Sequence, residues 1–459
     1  MNHMLRRYGL TGAFIAAVAV AGPAGAVAID DLVVVAAANT ATETDVPMGQ
    51  QQEQTSLLPE DAEIAGEGDL FGIEGGYFHP YLNVQGEFTD NLYNSNTDEV
   101  DNILTRVSPG IWFALPRKKV IPITLVPHNT SPGGLQNQLE DRTSPDRFIS
   151  YALAGADFKF YSEDSDLDDT DFVLEGLARY NMRGGLSLQL VDRFNESEDS
   201  FTSDTITQAS TRRRFNSNFF MATADWDMTE KLRFQVDYSN FYLDYEEASD
   251  DNLNRSDNAV DLYSYFKFSE KTSFFLQYRF VDVAYDEAVV NDSEQDFYYG
   301  GIQWNTTEKL ALLLKAGYQD RAFDAAERDG YDGLALDLQA KYRYSEKTEA
   351  DLSLYRTNEE TDSQVASDKT VLGVRFGYNQ DVTDKISANV ALQYEDAEYS
   401  QLIDEARDEQ TYFARPALRY LFKEWLRAEL AYEYERVDST QDFLDYTSNT
   451  VIVGLNVAF

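Results

Sequence analysis

The sequence predicts an all-β chain that crosses a membrane as an antiparallel up-and-down β-barrel of about 18 strands, with short periplasmic turns and long acidic extracellular loops. Three observations lead there: an export signal at the start, a polar turn that recurs at a nearly fixed interval, and strand-period alternation from residue 78 to the end.

The export signal spans residues 1–28. Arg6 and Arg7 precede an apolar run from Tyr8 to Val20, and small residues from Ala24 to Ala28 form the exit. The run is too short for a spanning helix, and a chain with no cysteine has no lipoprotein anchor. No later segment offers the roughly 18 consecutive apolar residues of a transmembrane helix, which excludes a helical membrane protein. Without disulfides or thiolate metal sites, stability must come from regular hydrogen bonding and burial.

Removing the signal takes the formal charge from −42 to −44, because residues 1–28 hold two arginines and no acid. So acidic a chain is not a nucleic-acid binder. Its 28 Phe and 29 Tyr are equally unlike a disordered acidic polymer. Acidic loops on an aromatic-rich wall reconcile the two.

Residues 29–77 are rich in Ala, Thr, Gln and Glu with no sustained period, and read as a flexible periplasmic leader. The barrel occupies 78–459. In its first strand Leu82, Val84, Gly86 and Phe88 alternate with Tyr81, Asn83, Gln85 and Glu87, the period of two of a strand with two unlike faces.

The repeat is marked by short turns carrying lysine: Thr229-Glu230-Lys231, Ser269-Glu270-Lys271, Thr307-Glu308-Lys309, Ser345-Glu346-Lys347, Thr383-Asp384-Lys385 and Phe422-Lys423-Glu424. The lysines are spaced by 40, 38, 38, 38 and 38 residues. Each unit holds two long alternating runs, such as Leu310 to Tyr318 and Leu334 to Tyr344, and a loop rich in Asn and Asp, such as 286–294. A propeller blade needs four shorter strands in that length, whereas one tight turn and one long loop per strand pair is the plan of an outer-membrane barrel.

Alternating runs number eighteen, or sixteen if the first pair is misread; either even number places both termini in the periplasm. The last strand puts Val451, Val453, Leu455, Val457 and Phe459 on one face. A terminal aromatic resembles the signal read by the barrel-assembly machinery, so Phe459 is the candidate assembly residue.

Because unpaired charges in hydrocarbon cost about 2–4 kcal/mol at midplane, the apolar face meets lipid and the other lines the lumen. The candidate lumen residues are Arg106, Glu175, Arg179, Arg233, Asp237, Asp261, Arg279, Asp337, Lys341, Arg375 and Arg427. Individually each also reads as part of a salt-bridged ladder bracing the wall. Tyr263, Tyr265, Phe275 and Tyr299 are candidates for stacking on sugar rings, or for lumen packing. The segment 117–146, flanked by Pro116 and holding Pro122, Pro127, Pro132, Pro145, Gly133 and Gly134, interrupts the pattern on the periplasmic side. It is a lumen constriction, a docking element or a solvated loop.

No enzyme, cofactor or metal site is expected. Of three histidines, His3 leaves with the signal, His79 opens the first strand and His128 sits in the insert, none at the rim where barrel hydrolases work. The acids Glu163, Asp164, Asp166, Asp168 and Asp169 lack the glycine and terminal glutamate of a calcium loop, and fit a solvated loop among lipopolysaccharide.

The first hairpin carries a family resemblance. Tyr81 to Gln85, then Glu87-Phe88-Thr89-Asp90-Asn91-Leu92-Tyr93, then Val107-Ser108-Pro109-Gly110-Ile111 resembles the opening of the outer-membrane β-barrel porin type 2 family. The resemblance implies a barrel tied to exopolysaccharide loci, with no catalytic residues to carry over, and it does not extend to the insert 117–146. The expected function is an outer-membrane channel for export or passage of exopolysaccharide. The alternatives are a porin for small solutes and, from a different class, a structural or adhesive barrel without conduction. Expected partners are outer-membrane lipid and lipopolysaccharide, the assembly machinery, polysaccharide and periplasmic export components.

Overall fold

The computed structural model describes residues 77–97, 99–115, 147–163, 165–198, 202–203, 210–287, 291–307, 309–326, 328–345, 347–361, 366–401, 407–423 and 425–458. The export signal 1–28, the leader up to residue 76, the insert 117–146 and Phe459 lie outside the described residues.

Eighteen long strands are found among the described residues: β1 (Phe78–Thr89), β2 (Asn102–Leu115), β3 (Phe148–Tyr161), β4 (Asp169–Asn181), β5 (Leu186–Glu198), β6 (Arg214–Asp227), β7 (Leu232–Tyr245), β8 (Arg255–Ser269), β9 (Thr272–Tyr285), β10 (Ser293–Thr307), β11 (Leu310–Phe323), β12 (Tyr331–Ser345), β13 (Thr348–Glu359), β14 (Ala366–Thr383), β15 (Ile386–Gln401), β16 (Arg407–Lys423), β17 (Leu426–Ser439) and β18 (Tyr446–Ala458). Each pairs antiparallel with its neighbours in sequence, and β1 pairs with β18 from Tyr81–Ala458 to Thr89–Thr450, closing the sheet into a barrel. The larger of the two expected strand counts is therefore the correct one. A separate two-residue ladder joins 202–203 to 210–211.

β1 stops at Thr89, before the polar stretch that follows it. The cause is Asn91, whose amide donates to the carbonyls of Ser95 (2.9 Å) and Thr447 (3.0 Å) and turns the chain. Such local side-chain bonds compete directly with a strand ladder.

The recurring lysine turns have a physical basis. In four of the six turns the hydroxyl two residues before the lysine accepts backbone N–H bonds inside the turn: Thr229 from Lys231 (3.2 Å) and Leu232 (2.9 Å), Ser269 from Lys271 (3.3 Å), Ser345 from Lys347 (3.2 Å), Thr383 from Lys385 (3.2 Å) and Ile386 (3.0 Å). At the opposite end the Asn/Asp-rich loops close in a second recurrent way. Tyr161, Tyr245, Tyr285 and Ser439 donate their backbone N–H to Asp168, Asn254, Asp292 and Asp445 at 2.6–2.8 Å. The acids that make the loops acidic thus also terminate the strands.

Because successive side chains alternate, the register fixes two faces around the whole barrel. The outward face is apolar and open, with Leu276 at 69%, Leu334 at 55% and Val453 at 57% exposure. Aromatic pairs ring it at two levels: Tyr278–Tyr298 and Tyr394–Tyr412 toward the long loops, Phe268–Phe274 and Tyr420–Phe422 toward the tight turns. Such girdles flank the lipid-facing band of a transmembrane barrel. Among the described residues no helix is long and apolar enough to cross a membrane, so any crossing is made by strands.

Candidate functional site

The inward face is a network of charges bonded along and across neighbouring strands. Arg106 on β2 reaches Asp157 (2.8 Å) and Glu87 (3.3 Å), and Ser108 adds a bond to Asp157. Glu175 on β4 faces Arg193 at 3.7 Å, and Arg179 donates to the Ser187 hydroxyl at 3.1 Å. Arg233 pairs with Asp225 (2.7 Å) and hands a chain of bonds through Gln235 to Asp237. Asp261 accepts from Arg279 (2.8 Å) and Gln277 (2.7 Å), and Lys315 pairs with Asp337 at 3.4 Å. Lys341 meets Glu349 (3.1 Å), while Arg375 donates to Gln393 and the Tyr355 hydroxyl, both at 3.1 Å. Arg427 stands opposite Asn456 in the β17–β18 register. Every candidate lumen residue thus shares the inward side of the register.

Nearly all these charges sit beside an opposite charge or a hydrogen-bonding amide. A buried charge without a partner costs several kcal/mol, so the ladders brace the wall as they line it. Arg106, Asp237, Asp261, Arg279 and Asp337 are buried, whereas Arg179, Arg233, Lys341 and Arg375 are half-exposed.

Three of the four candidate stacking aromatics form a group, while Tyr299 lies in a neighbouring cluster, stacked on Phe297 with centroids 5.9 Å apart. Tyr263 and Tyr265 lie parallel with centroids 5.8 Å apart, and Phe275 packs against both. Their faces are already occupied: the Arg233 guanidinium lies 4.4 Å over Tyr265 and the Lys315 ammonium 4.8 Å over Tyr299. A sugar ring stacking on Tyr265 requires Arg233 to withdraw. His79 is buried against Trp112, rings stacked 3.9 Å apart.

One element was not foreseen. The β12–β13 ladder runs from Ser345–Thr348 up to Leu336–Arg356 and stops, although β12 continues to Tyr331 and β13 to Glu359. Above that point β13 stays with β14, through Glu359–Lys369, and leaves β12. Residues 358–361 and 366–369, the described upper end of the β13–β14 hairpin, cross inside the barrel. Glu360 accepts from the Tyr285 hydroxyl on β9 (2.8 Å) and the Gln295 amide on β10 (3.1 Å), and pairs with Arg321 on β11. Asn358 bonds twice to the Gln319 side chain on β11: its N–H donates to Oε1 at 2.9 Å and its carbonyl accepts from Nε2 at 2.7 Å. The Gln319 amide stands in for the backbone partner that β12 no longer supplies.

β12 lies between β11 and β13, so these bonds pass over its inner face. The inward residues there are Gly333 and Ala335, small enough to let a strand cross, and Ala335 is 0% exposed beneath it. Inside the hairpin, Asn358 donates to Asp368 (2.6 Å), which also accepts from Ser400 (2.8 Å). Asn358, Glu359, Glu360, Thr361, Ser367, Asp368 and Lys369 are all buried.

A sequence signal for this existed. Leu352 and Leu354 face lipid, but the following positions of that parity are Arg356, Asn358 and Glu360. A strand polar on both sides has no face for lipid and is free to enter a wet interior.

A family model described as "Putative beta-barrel porin 2" matches residues 146–459. No curated protein matches the chain. Solved structures similar to the chain include three Pseudomonas aeruginosa proteins. OccK2 (OpdF) is 10% identical, with 83% of this chain and 98% of that one covered at a TM-score of 0.44. OpdK, crystallised with vanillate, is 10% identical, with 84% and 100% covered and a TM-score of 0.43. The siderophore receptor PirA is 9% identical, with 83% and 80% covered and a TM-score of 0.39. Likenesses of this strength carry nothing on what the chain binds.

Proposed function

The chain belongs to the putative beta-barrel porin 2 family, a porin-type outer-membrane barrel, and we propose that it is a passive channel whose cargo is exopolysaccharide. The observation that supports conduction is the inward face: a closed eighteen-strand wall lined all round with polar and charged side chains of both signs. A barrel of about 16–18 strands is too wide for its own side chains to fill and leaves an aqueous passage. Glycan as the cargo rests on the family resemblance and on the inward Tyr263, Tyr265, Phe275 and Tyr299. In this reading residues 1–28 direct export, the tight turns face the periplasm and the acidic loops face outward among lipopolysaccharide.

A second reading, a porin for small solutes, is favoured by the β13–β14 hairpin, which narrows the lumen at its long-loop end. Single-channel recording in planar bilayers separates the readings. Conductance steps blocked by added acidic or neutral polysaccharide are expected for the first. Steps indifferent to polysaccharide support the second, and a silent bilayer containing folded barrel rejects both in favour of a structural or adhesive role.

A further inference from the structure

The open edge of β12 and the inward tip of β13 are built for each other. The register of the closed part continues without a shift: Leu336–Arg356 would be followed by Leu334–Asn358 and Asp332–Glu360. The tip therefore has two places to go. In one its polar groups are held by Gln319, Arg321, Tyr285 and Gln295 inside the lumen. In the other it zips onto β12 and completes the wall.

The seam between them is a real opening. Arg356 donates to the Leu334 carbonyl (2.5 Å) and to the Tyr331 hydroxyl (2.8 Å). By register Arg356 belongs to the outward face and Tyr331 to the inward one, and two such side chains meet only where no ladder stands between them. Leu334 pairs across β11–β12 with Tyr318, whose neighbours Tyr298 and Tyr278 form the girdle on the long-loop side, so the opening begins at the girdle and runs toward the loops.

We propose that residues 357–361, with their partner limb 366–371, are a strand gate: folded inward they narrow the lumen, and zipped onto residues 331–335 they widen it. The two states exchange like for like. Inward, the backbone of Asn358 is satisfied by the Gln319 amide and Glu360 by Arg321; outward, the backbone is satisfied by β12 while Asn358 and Glu360 reach the headgroup region. Small inward residues at Gly333 and Ala335 let the strand pass, and Arg356 covers the edge carbonyl while the gate is inward. Two packings of comparable hydrogen-bond content are what a bistable element requires.

The gate rests on the channel reading only for its effect on conduction, so the test reads position first. The chain has no cysteine, which makes engineered pairs unambiguous. In the full-length barrel in lipid, Leu334→Cys with Asn358→Cys bridges only in the zipped state, since Leu334 faces lipid and Asn358 now lies inside. Gln295→Cys with Glu360→Cys bridges only in the inward state. Mild oxidation followed by peptide mass spectrometry is expected to find both disulfides, each in its own variant. Adding Glu360→Gln to the first pair should speed bridging about tenfold, the change that loss of about 1.4 kcal/mol from the inward state produces. The zipped disulfide should raise single-channel conductance and the inward one should hold it low. Absence of the Leu334–Asn358 bridge, with and without Glu360→Gln, in barrels that form the inward bridge would overturn the gate. Both bridges forming in a barrel that never conducts would leave the gate standing and sink the channel.

Discussion

Two seams in the barrel wall meet the same problem and solve it oppositely. At β1–β18 the two ends of the barrel sequence come together, and the ladder holds without interruption from Tyr81–Ala458 to Thr89–Thr450. At β12–β13, strands joined by a tight turn separate after Leu336–Arg356. The difference lies in where the polar side chains at the top of each seam find partners. Above β1–β18, Asp90 accepts from the backbone and side-chain nitrogens of Asn449, both at 2.7 Å, and Asn91 donates to the Thr447 carbonyl, so polar groups extend the pairing across the seam. Above β12–β13, Asn358 and Glu360 are drawn off the seam by Gln319 and Arg321. Sequence proximity does not decide which seam closes; the local capture of polar groups does.

The largest change expected breaks the second seam's inward capture. Arg321→Met leaves Glu360 without its cation in a fully buried place, a loss of about 3–5 kcal/mol for that arrangement. Amide exchange read by mass spectrometry should rise in residues 357–361 and 366–371 and stay unchanged in 81–89 and 450–458. Protection that persists in the hairpin would show that Arg321 is not what holds it.

A smaller effect is expected at the closing seam. Asn91→Ala removes a buried amide that bridges Ser95 and Thr447, a cost of about 1–3 kcal/mol. The heat-induced loss of the fast-migrating folded form on gels should shift to lower temperature, with faster exchange confined to the top of β1 and β18. An unaltered transition would mean the backbone ladder alone closes the barrel.

The smallest effect belongs to the cover on the open edge. Arg356→Gln shortens the side chain that reaches Leu334 and Tyr331, and about 0.5–1.5 kcal/mol of stabilisation of the inward state goes with it. In the Leu334→Cys, Asn358→Cys background this variant should bridge faster than its parent but more slowly than the one carrying Glu360→Gln. A slower rate than the parent would make Arg356 a promoter of the zipped state instead.

Much of this was legible in the residues. Alternation with period two gave eighteen strands and, by parity, the inward side of Arg106, Asp261, Arg279 and Arg375, because a closed sheet leaves each side chain only two directions. The lysine turns were legible as turns, though their Ser and Thr hydroxyl caps needed coordinates. What parity does not carry is distance along the wall: that Arg233 covers Tyr265, or that Lys315 covers Tyr299, depends on rotamers chosen among several neighbours. The stacking faces expected for sugar were therefore seen as positions but not as occupied ones.

The sequence by itself determined a barrel, a strand count of eighteen or sixteen and the identity of its two faces, since lipid on one side and water on the other impose a rule that every strand obeys separately. Only the tertiary structure decided that one hairpin leaves the wall. That choice weighs a ladder with β12 against bonds to β9, β10 and β11, groups between 37 and 75 residues away in sequence, and no single strand's pattern contains the comparison.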